Sequence, residues 1–197
     1  MVLTDRGQSQ AAGRSLPETV AAAVEGGART VLLREKDLPR PERQRVAKEL
    51  VEMLATVDGE LIVASDVELA RAVDAAGVHL AASDPLPRTI SKTVRGRSCH
   101  SVEELRAARA EGVDYATLSP IWPTDSKPGY GPAPGVEGLA QGCAAVPDLP
   151  VYALGGVGPG RVEVCRQAGV AGVAVMGKVM RADDPAKVMR TLLQEWS

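Results

Sequence analysis

The stretch EGVDYATLSPIWPTDSKPGYGPAPG, Glu111 to Gly135, holds in miniature the grammar of the whole chain. Gly112 ends an Ala-rich amphipathic segment, Tyr115–Leu118 reads as a short buried strand, and a loop of hydroxyls, a lysine, glycines and prolines follows. A helix stops at least cost on a glycine in the left-handed region, so a new strand starts within a few residues of it. The same succession recurs as GGARTVLL at Gly26, AGVHL at Ala76 and AGVAGVAV at Ala168. Short strands that are apolar throughout, rather than alternating, imply burial on both faces, the mark of a parallel sheet covered by helices.

Working outward, strands are expected at Val2–Thr4, Thr30–Arg34, Leu61–Ala64, Val78–Leu80, Arg97–Cys99, Tyr115–Leu118, Val151–Leu154 and Val173–Met176. Helices are expected at Leu16–Glu25, Pro41–Val57, Val67–Ala75, Leu86–Val94, Val102–Ala110, Val136–Ala145, Pro159–Gln167 and Pro185–Glu195. These strand–helix units fill residues 1–197 as one domain, and a closed (β/α)8 TIM barrel is the expected α/β architecture. The competing open doubly wound sheet would carry a glycine fingerprint after its first strand, and none is present.

A formal net charge of -2 provides no field to recruit nucleic acid or an anionic membrane. With an aromatic share of 3% and no Phe, the core must be built from Val, Leu, Ala, Ile and Met. No apolar stretch reaches the length of a membrane span, and MVLTDRG lacks a signal-peptide pattern, so a cytoplasmic protein is expected. Cys99, Cys143 and Cys165 are widely spaced and odd in number, which fits free thiols rather than a disulfide framework or zinc site.

Polar residues gather just past the strands. Arg34 and Lys36 flank Glu35 after the second strand; alternation puts the two cations on one side, suited to phosphate or diphosphate, with a solvated charged turn as the alternative. His79, in GVHL, is either a general acid–base group or a satisfied core histidine. Asp84 is a candidate magnesium ligand or a helix cap. Ser98 and His100 lie at the fifth strand, where Ser101 and Glu104 form a capping-box pattern. Thr124, Ser126 and Lys127 sit in the long loop after Tyr115–Leu118, and Trp122 beside them reads as a lid or a subunit contact. Gly155 and Gly156, and Met176 with Gly177, follow the last two strands, where barrels recurrently hold a phosphate through bare backbone.

LREKD, GVHL with its following Asp, P-T-x-[ST]-K, ALGGV and VAVMG occur here in one order and spacing. Together they resemble the thiamine phosphate synthase/TenI family of (β/α) barrels over essentially the whole chain. The resemblance implies a thiamine-biosynthesis enzyme whose ligand is a phosphorylated thiazole. In the synthase branch, a hydroxymethylpyrimidine diphosphate ionises with help from Mg2+ and the thiazole nitrogen captures the pyrimidine cation. On that pattern Arg34, Lys36 and Lys127 contact diphosphate, Thr124 and Ser126 line the substrate site, and Ser98 faces the pyrimidine. Asp84 is then the metal ligand, and Gly155, Gly156, Met176 and Gly177 hold the thiazole phosphate.

Synthases usually carry Asn-Asp-Arg where this chain has Ala64, Ser65 and Asp66, a glutamine where it has Leu32, and Gly-Gln where it has Ala81-Ala82. GRSCHS and TDSKPG look more like the TenI branch, a thiazole tautomerase that needs no metal. Its histidine base is matched here by Pro120, which leaves His79 and His100 as candidate bases, with Lys127 the third residue expected in the chemistry. The favoured expectation is therefore a TenI-like isomerase requiring no cofactor. A magnesium-dependent synthase and a silent ligand-binding paralogue are the alternatives, and a homodimer is compatible with each.

Overall fold

The structure is a computed structural model describing residues 1–87, 93–123 and 133–197. Strands β1 (Val2–Leu3), β2 (Thr30–Leu33), β3 (Glu60–Ala64), β4 (Gly77–Leu80), β5 (Val94–Cys99), β6 (Tyr115–Leu118), β7 (Val151–Leu154) and β8 (Gly172–Ala174) stand in chain order, each parallel to the next. The ring closes where Leu3 N donates to Val175 O at 2.8 Å and Val175 N donates to Met1 O at 3.0 Å. The architecture is the expected (β/α)8 barrel.

Among the described residues the helices are α1 (Arg6–Ala11), α2 (Leu16–Glu25), α3 (Arg40–Ala55), α4 (Val67–Ala72), α5 (Val102–Glu111), α6 (Gly135–Ala145), α7 (Val162–Gln167), α8 (Gly177–Met180) and α9 (Pro185–Trp196). Their starts are written locally. Ser15 and Glu18 form a full capping box on α2, and the side chains of Asp5, Asp66, Ser101 and Asp184 accept first-turn N–H groups of α1, α4, α5 and α9. At α5 the reciprocal bond goes elsewhere: the Glu104 carboxylate accepts from His100 N, at 2.7 Å, instead of from Ser101 N. Gly112, at φ 71°, closes α5 as its sequence position requires.

Two apolar layers explain why the strands lack alternation. Val31, Leu33, Leu61, Val63, Ala116, Leu118, Val151 and Ala153 face the helices. Leu3, Leu32, Ile62, Ala64, Tyr115 and Ala174 fill the barrel interior. Both faces of the sheet are dry, as in a parallel sheet wrapped by helices.

Three expectations change. Strand β5 begins at Val94, not Arg97, because Val94 and Arg95 pair with Gly77 and Val78 of β4; Val94 therefore belongs to a strand and not to the helix expected at Leu86–Val94, whose residues 88–92 lie outside the described residues. Helix α7 starts at Val162 instead of Pro159, since Gly160 sits at φ 82°. Strand β8 stops at Ala174, and Gly177, expected to lie in a loop, opens the unforeseen α8.

Candidate active site

A cavity of about 250 Å³ opens at the carboxyl ends of the strands. Arg34, Lys36, His79, Ser98, Gly155, Gly156, Met176 and Gly177 all line it, so the residues anticipated on five different strand ends meet in one place. Arg161, Lys178 and Arg181 line it as well, and no carboxylate does among the described residues. Five cations around an acid-free hollow favour a polyanion. The floor is apolar, built from Leu3, Leu32, Ala64, Leu154 and Ala174.

The rim beyond β7 and β8 is made of glycine and basic side chains. Gly155 and Gly156 have φ of 91° and 69°. A Cβ on Gly155 would stand 2.7 Å from Pro120 Cα, and one on Gly156 2.6 Å from Trp122 Cβ, so only glycine lets the β6 loop lie against this strand end. Arg161 lies 4.7 Å above the Trp122 ring and donates to Gly156 O at 2.6 Å. Trp122 is thus packed beneath a cavity-lining guanidinium. The Lys178 stem runs along Gly158, and the Arg181 guanidinium lies over Gly177, where a Cβ would meet it at 2.7 Å. The N–H groups of Gly177 and Lys178 precede the first bonds of α8, in which Met176 O accepts from Val179 and Met180.

At the ends of β2, β3 and β4 the charges are tied into networks. Glu35 points away from the cavity, as alternation predicts; it is 4% exposed and accepts from Arg6 N and Nη1, each at 3.2 Å. Lys36 Nζ donates to Ser65 Oγ at 2.7 Å, and Ser65 Oγ donates to Asp84 Oδ2. Ser65 holds a left-handed φ of 55°, uncommon for a serine, which places its hydroxyl between these two charges. Asp84 Oδ2 also accepts from Ala81 N at 2.8 Å. Burial opposes its charge, yet the Ser65 and Ala81 hydrogen bonds and the nearby Lys36 and Arg97 hold its carboxyl below the usual range. Arg97, 4% exposed, fixes this turn from behind, donating to Ala81 O at 2.9 Å and Asp84 O at 2.6 Å while pairing with Glu111.

His79 joins the barrel interior to the cavity. Its Nδ1 lies 2.9 Å from Tyr115 Oη and its Nε2 2.9 Å from Ser98 Oγ. Burial, followed by the Lys36 and Arg97 charges, pushes its pKa down to about 4, so the ring is neutral at pH 7. Gly96 makes this cluster possible, for a Cβ there would lie 2.5 Å from His79 Nδ1.

His100 does not line the cavity; its Nδ1–H donates to Ser119 O at 2.6 Å. Asp84 reaches the cavity only through Ser65 and Lys36. Thr124, Ser126 and Lys127 lie outside the described residues. A magnesium site, implied by the synthase resemblance, fits to this extent: Asp84 is ionised at the mouth, and Mg2+ is commonly held by one or two carboxylates plus substrate phosphates. Among the described residues no cluster of three His, Cys, Asp or Glu side chains is suited to a metal. Asp66 is not a second ligand here, because it caps α4 and pairs with Arg43 at 3.5 Å.

Arg161, Lys178 and Arg181 escape the sequence reading. The one local signal is the lysine directly after Gly177, since Arg181 joins it only once α8 exists. Ser119 and Pro120 also line the cavity, brought there by the turn that leaves β6.

Comparison with known proteins bears on the same barrel. A family model described as thiamine monophosphate synthase matches residues 1–179. The thiamine-phosphate synthase of Haloarcula marismortui is 36% identical over 193 residues, covering 93% of this chain and 90% of that protein. The thiamine-phosphate synthase of Roseiflexus sp. is 35% identical over 198 residues, covering 97% and 82%. Among solved structures, thiamine phosphate pyrophosphorylase from Pyrococcus furiosus superposes with a TM-score of 0.87 at 32% identity, over 98% of this chain and 93% of that one. A match that runs from the first strand into α8, and so takes in every strand end around the cavity, has one reading: the chain belongs to the thiamine monophosphate synthase family.

Proposed function

We propose that this protein, one barrel domain over residues 1–197, joins hydroxymethylpyrimidine diphosphate to thiazole phosphate and releases diphosphate. The observation that carries this reading is the placing of cations at two distinct strand ends of one cavity, Arg34 and Lys36 after β2 and Lys178 and Arg181 after β8, which suits two separate phosphorylated groups. In the reaction the bond from the pyrimidine methylene carbon to oxygen breaks, diphosphate departs with the electron pair, and the thiazole nitrogen lone pair forms the new carbon–nitrogen bond. Arg34 and Lys36 meet the growing charge on the leaving group, where fixed cations act most strongly. The glycine rim, with Lys178 and Arg181, seats the thiazole phosphate. Lys127 is assigned to the diphosphate and Thr124 and Ser126 to the substrate wall. Asp84 would hold a magnesium ion, which when bound neutralises charge on the diphosphate.

The TenI-like isomerisation expected first is the less supported reading. The relatives above carry the synthase name, and Pro120 stands at the cavity where that branch has its histidine. Incubation with both substrates and Mg2+ should yield thiamine phosphate and diphosphate, and EDTA should suppress the turnover. Absence of product alongside EDTA-resistant tautomerisation of a thiazole carboxylate phosphate would reverse the choice.

A further inference from the structure

We propose that Tyr115, His79 and Ser98 form a one-way hydrogen-bond relay that fixes the Ser98 hydroxyl as a donor into the cavity, so that the group seated against it must present an acceptor. Each of the three groups carries one mobile proton when the ring is neutral. Two directions are therefore open. In one, Tyr115 O–H donates to Nδ1, Nε2–H donates to Ser98 Oγ, and the Ser98 proton is left for the ligand. In the other, Ser98 donates to Nε2 and Nδ1–H donates to Tyr115 Oη, which strands the tyrosine proton.

The surroundings of Tyr115 decide between them. Tyr115 is 5% exposed and packs with Leu3, Leu32, Ile62 and Ala174 inside the barrel, with the Tyr152 ring edge-on to it at 5.5 Å between centroids. Its hydroxyl hydrogen-bonds to His79 and to no other described residue, Tyr152 included. Thr117, two residues along the same strand face, has a buried hydroxyl with no partner among the described residues, so it does not take the tyrosine proton. A stranded O–H in that apolar interior forfeits its full hydration, whereas the donor direction uses every proton. Ser98, at the cavity wall, is the end of the chain at which water or a ligand can accept. The low pKa of His79 is consistent, since a cationic ring would donate from both nitrogens and abolish the direction.

Leu32, Ala64 and Ala81 make the neighbouring wall apolar, which leaves the Ser98 donor to orient an aromatic ring entering there. A ring nitrogen of the pyrimidine supplies the required acceptor; this part alone rests on the function proposed above. His79 and Tyr115 are then positioning residues, because neither needs to touch the ligand.

Nitrogen-15 NMR of the ligand-free protein reads the tautomer directly. The relay requires a protonated Nε2 and a pyridine-type Nδ1 in His79, and a mixed tautomer in Tyr115→Phe. Protonation at Nδ1 in the unsubstituted protein would overturn it. In turnover, Ser98→Ala and Tyr115→Phe should each lower kcat/KM for the pyrimidine diphosphate about tenfold, and the double substitution should add little. Fully additive losses would also overturn the relay. The expected tautomer in a protein without synthase activity would uphold the relay and sink the assigned reaction.

Discussion

The rim beyond β7 and β8 and the wall of β4, β5 and β6 close one cavity by opposite means. The rim uses bare glycine and cations, the Lys178 stem along Gly158 and the Arg181 guanidinium over Gly177, where it donates to Gln8 Oε1. The wall uses neutral groups locked from three strands, with Gly96 omitting a side chain so that Tyr115 can reach His79. Phosphate is recognised by charge and exposed N–H groups, which tolerate imprecise placement. A ring edge is recognised by one directed hydrogen bond, which does not. One site can therefore combine a forgiving anion seat with an exacting ring seat.

The wall should be the more fragile of the two, and acid gives the largest effect. The His79 ring titrates near its ordinary 6.5 in the unfolded chain and near 4 when folded. Between those values the unfolded state binds more protons, so this contribution is complete above pH 6.5, falls as pH drops towards 4, and levels off below. The loss amounts to about 3 kcal/mol. Urea unfolding across this range should show it, and a His79→Asn variant should give a flatter curve; equal curves would break the contrast.

Next, Gly155→Ala should cost about 2 kcal/mol, because the residue must keep a positive φ and a Cβ meets the Pro120 backbone. Gly177→Ala tests the same rim differently. Its Cβ's nearest contacts are the far end of the Arg181 side chain, which can shift at the cost of its hydrogen bond to Gln8, so melting should fall only slightly while phosphate affinity drops. A large melting shift there would show the rim to be as rigid as the wall.

Lys36→Ala and Lys127→Ala should each weaken binding of a phosphorylated ligand about tenfold, near 1.4 kcal/mol, as measured by calorimetry. Unchanged affinity would remove that lysine from the anion seat. The smallest effect is expected for Arg161→Ala. Its stacking on Trp122 contributes about 0.5–1 kcal/mol at a partly exposed site, visible as a small shift in thermal melting.

Of the anion-binding parts, the glycines of the rim and the cations after β2 are legible in the sequence because they have local causes, whereas the rim's own Arg161, Lys178 and Arg181 are not. Arg34 and Lys36 follow from alternation, and GG at Gly155 from the backbone's need for positive φ. In the wall His79 and Ser98 are legible singly as site candidates, but their junction with Tyr115 is not, since the three come from separate strands and meet only through register. The pairing of Gly96 with both His79 and Tyr115 is what aligns them, and no window of sequence displays it. Strand β5 is expected only from Arg97 because Val94, Arg95 and Gly96 make no apolar run, whereas their pairing with Gly77, Val78 and His79 sets its start at Val94. Arg181 escapes a sequence reading because α8 is too short to leave a periodic trace.

Arg97 carries a consequence of its own. Its guanidinium suspends the Asp84 turn from Glu111, the last residue of α5, whose side chain is 39% exposed on the outer layer. The mouth is therefore adjustable from the back of the barrel. A lineage, or an engineer, altering the end of that outer helix would retune how the carboxylate is presented while leaving every cavity-lining side chain in place.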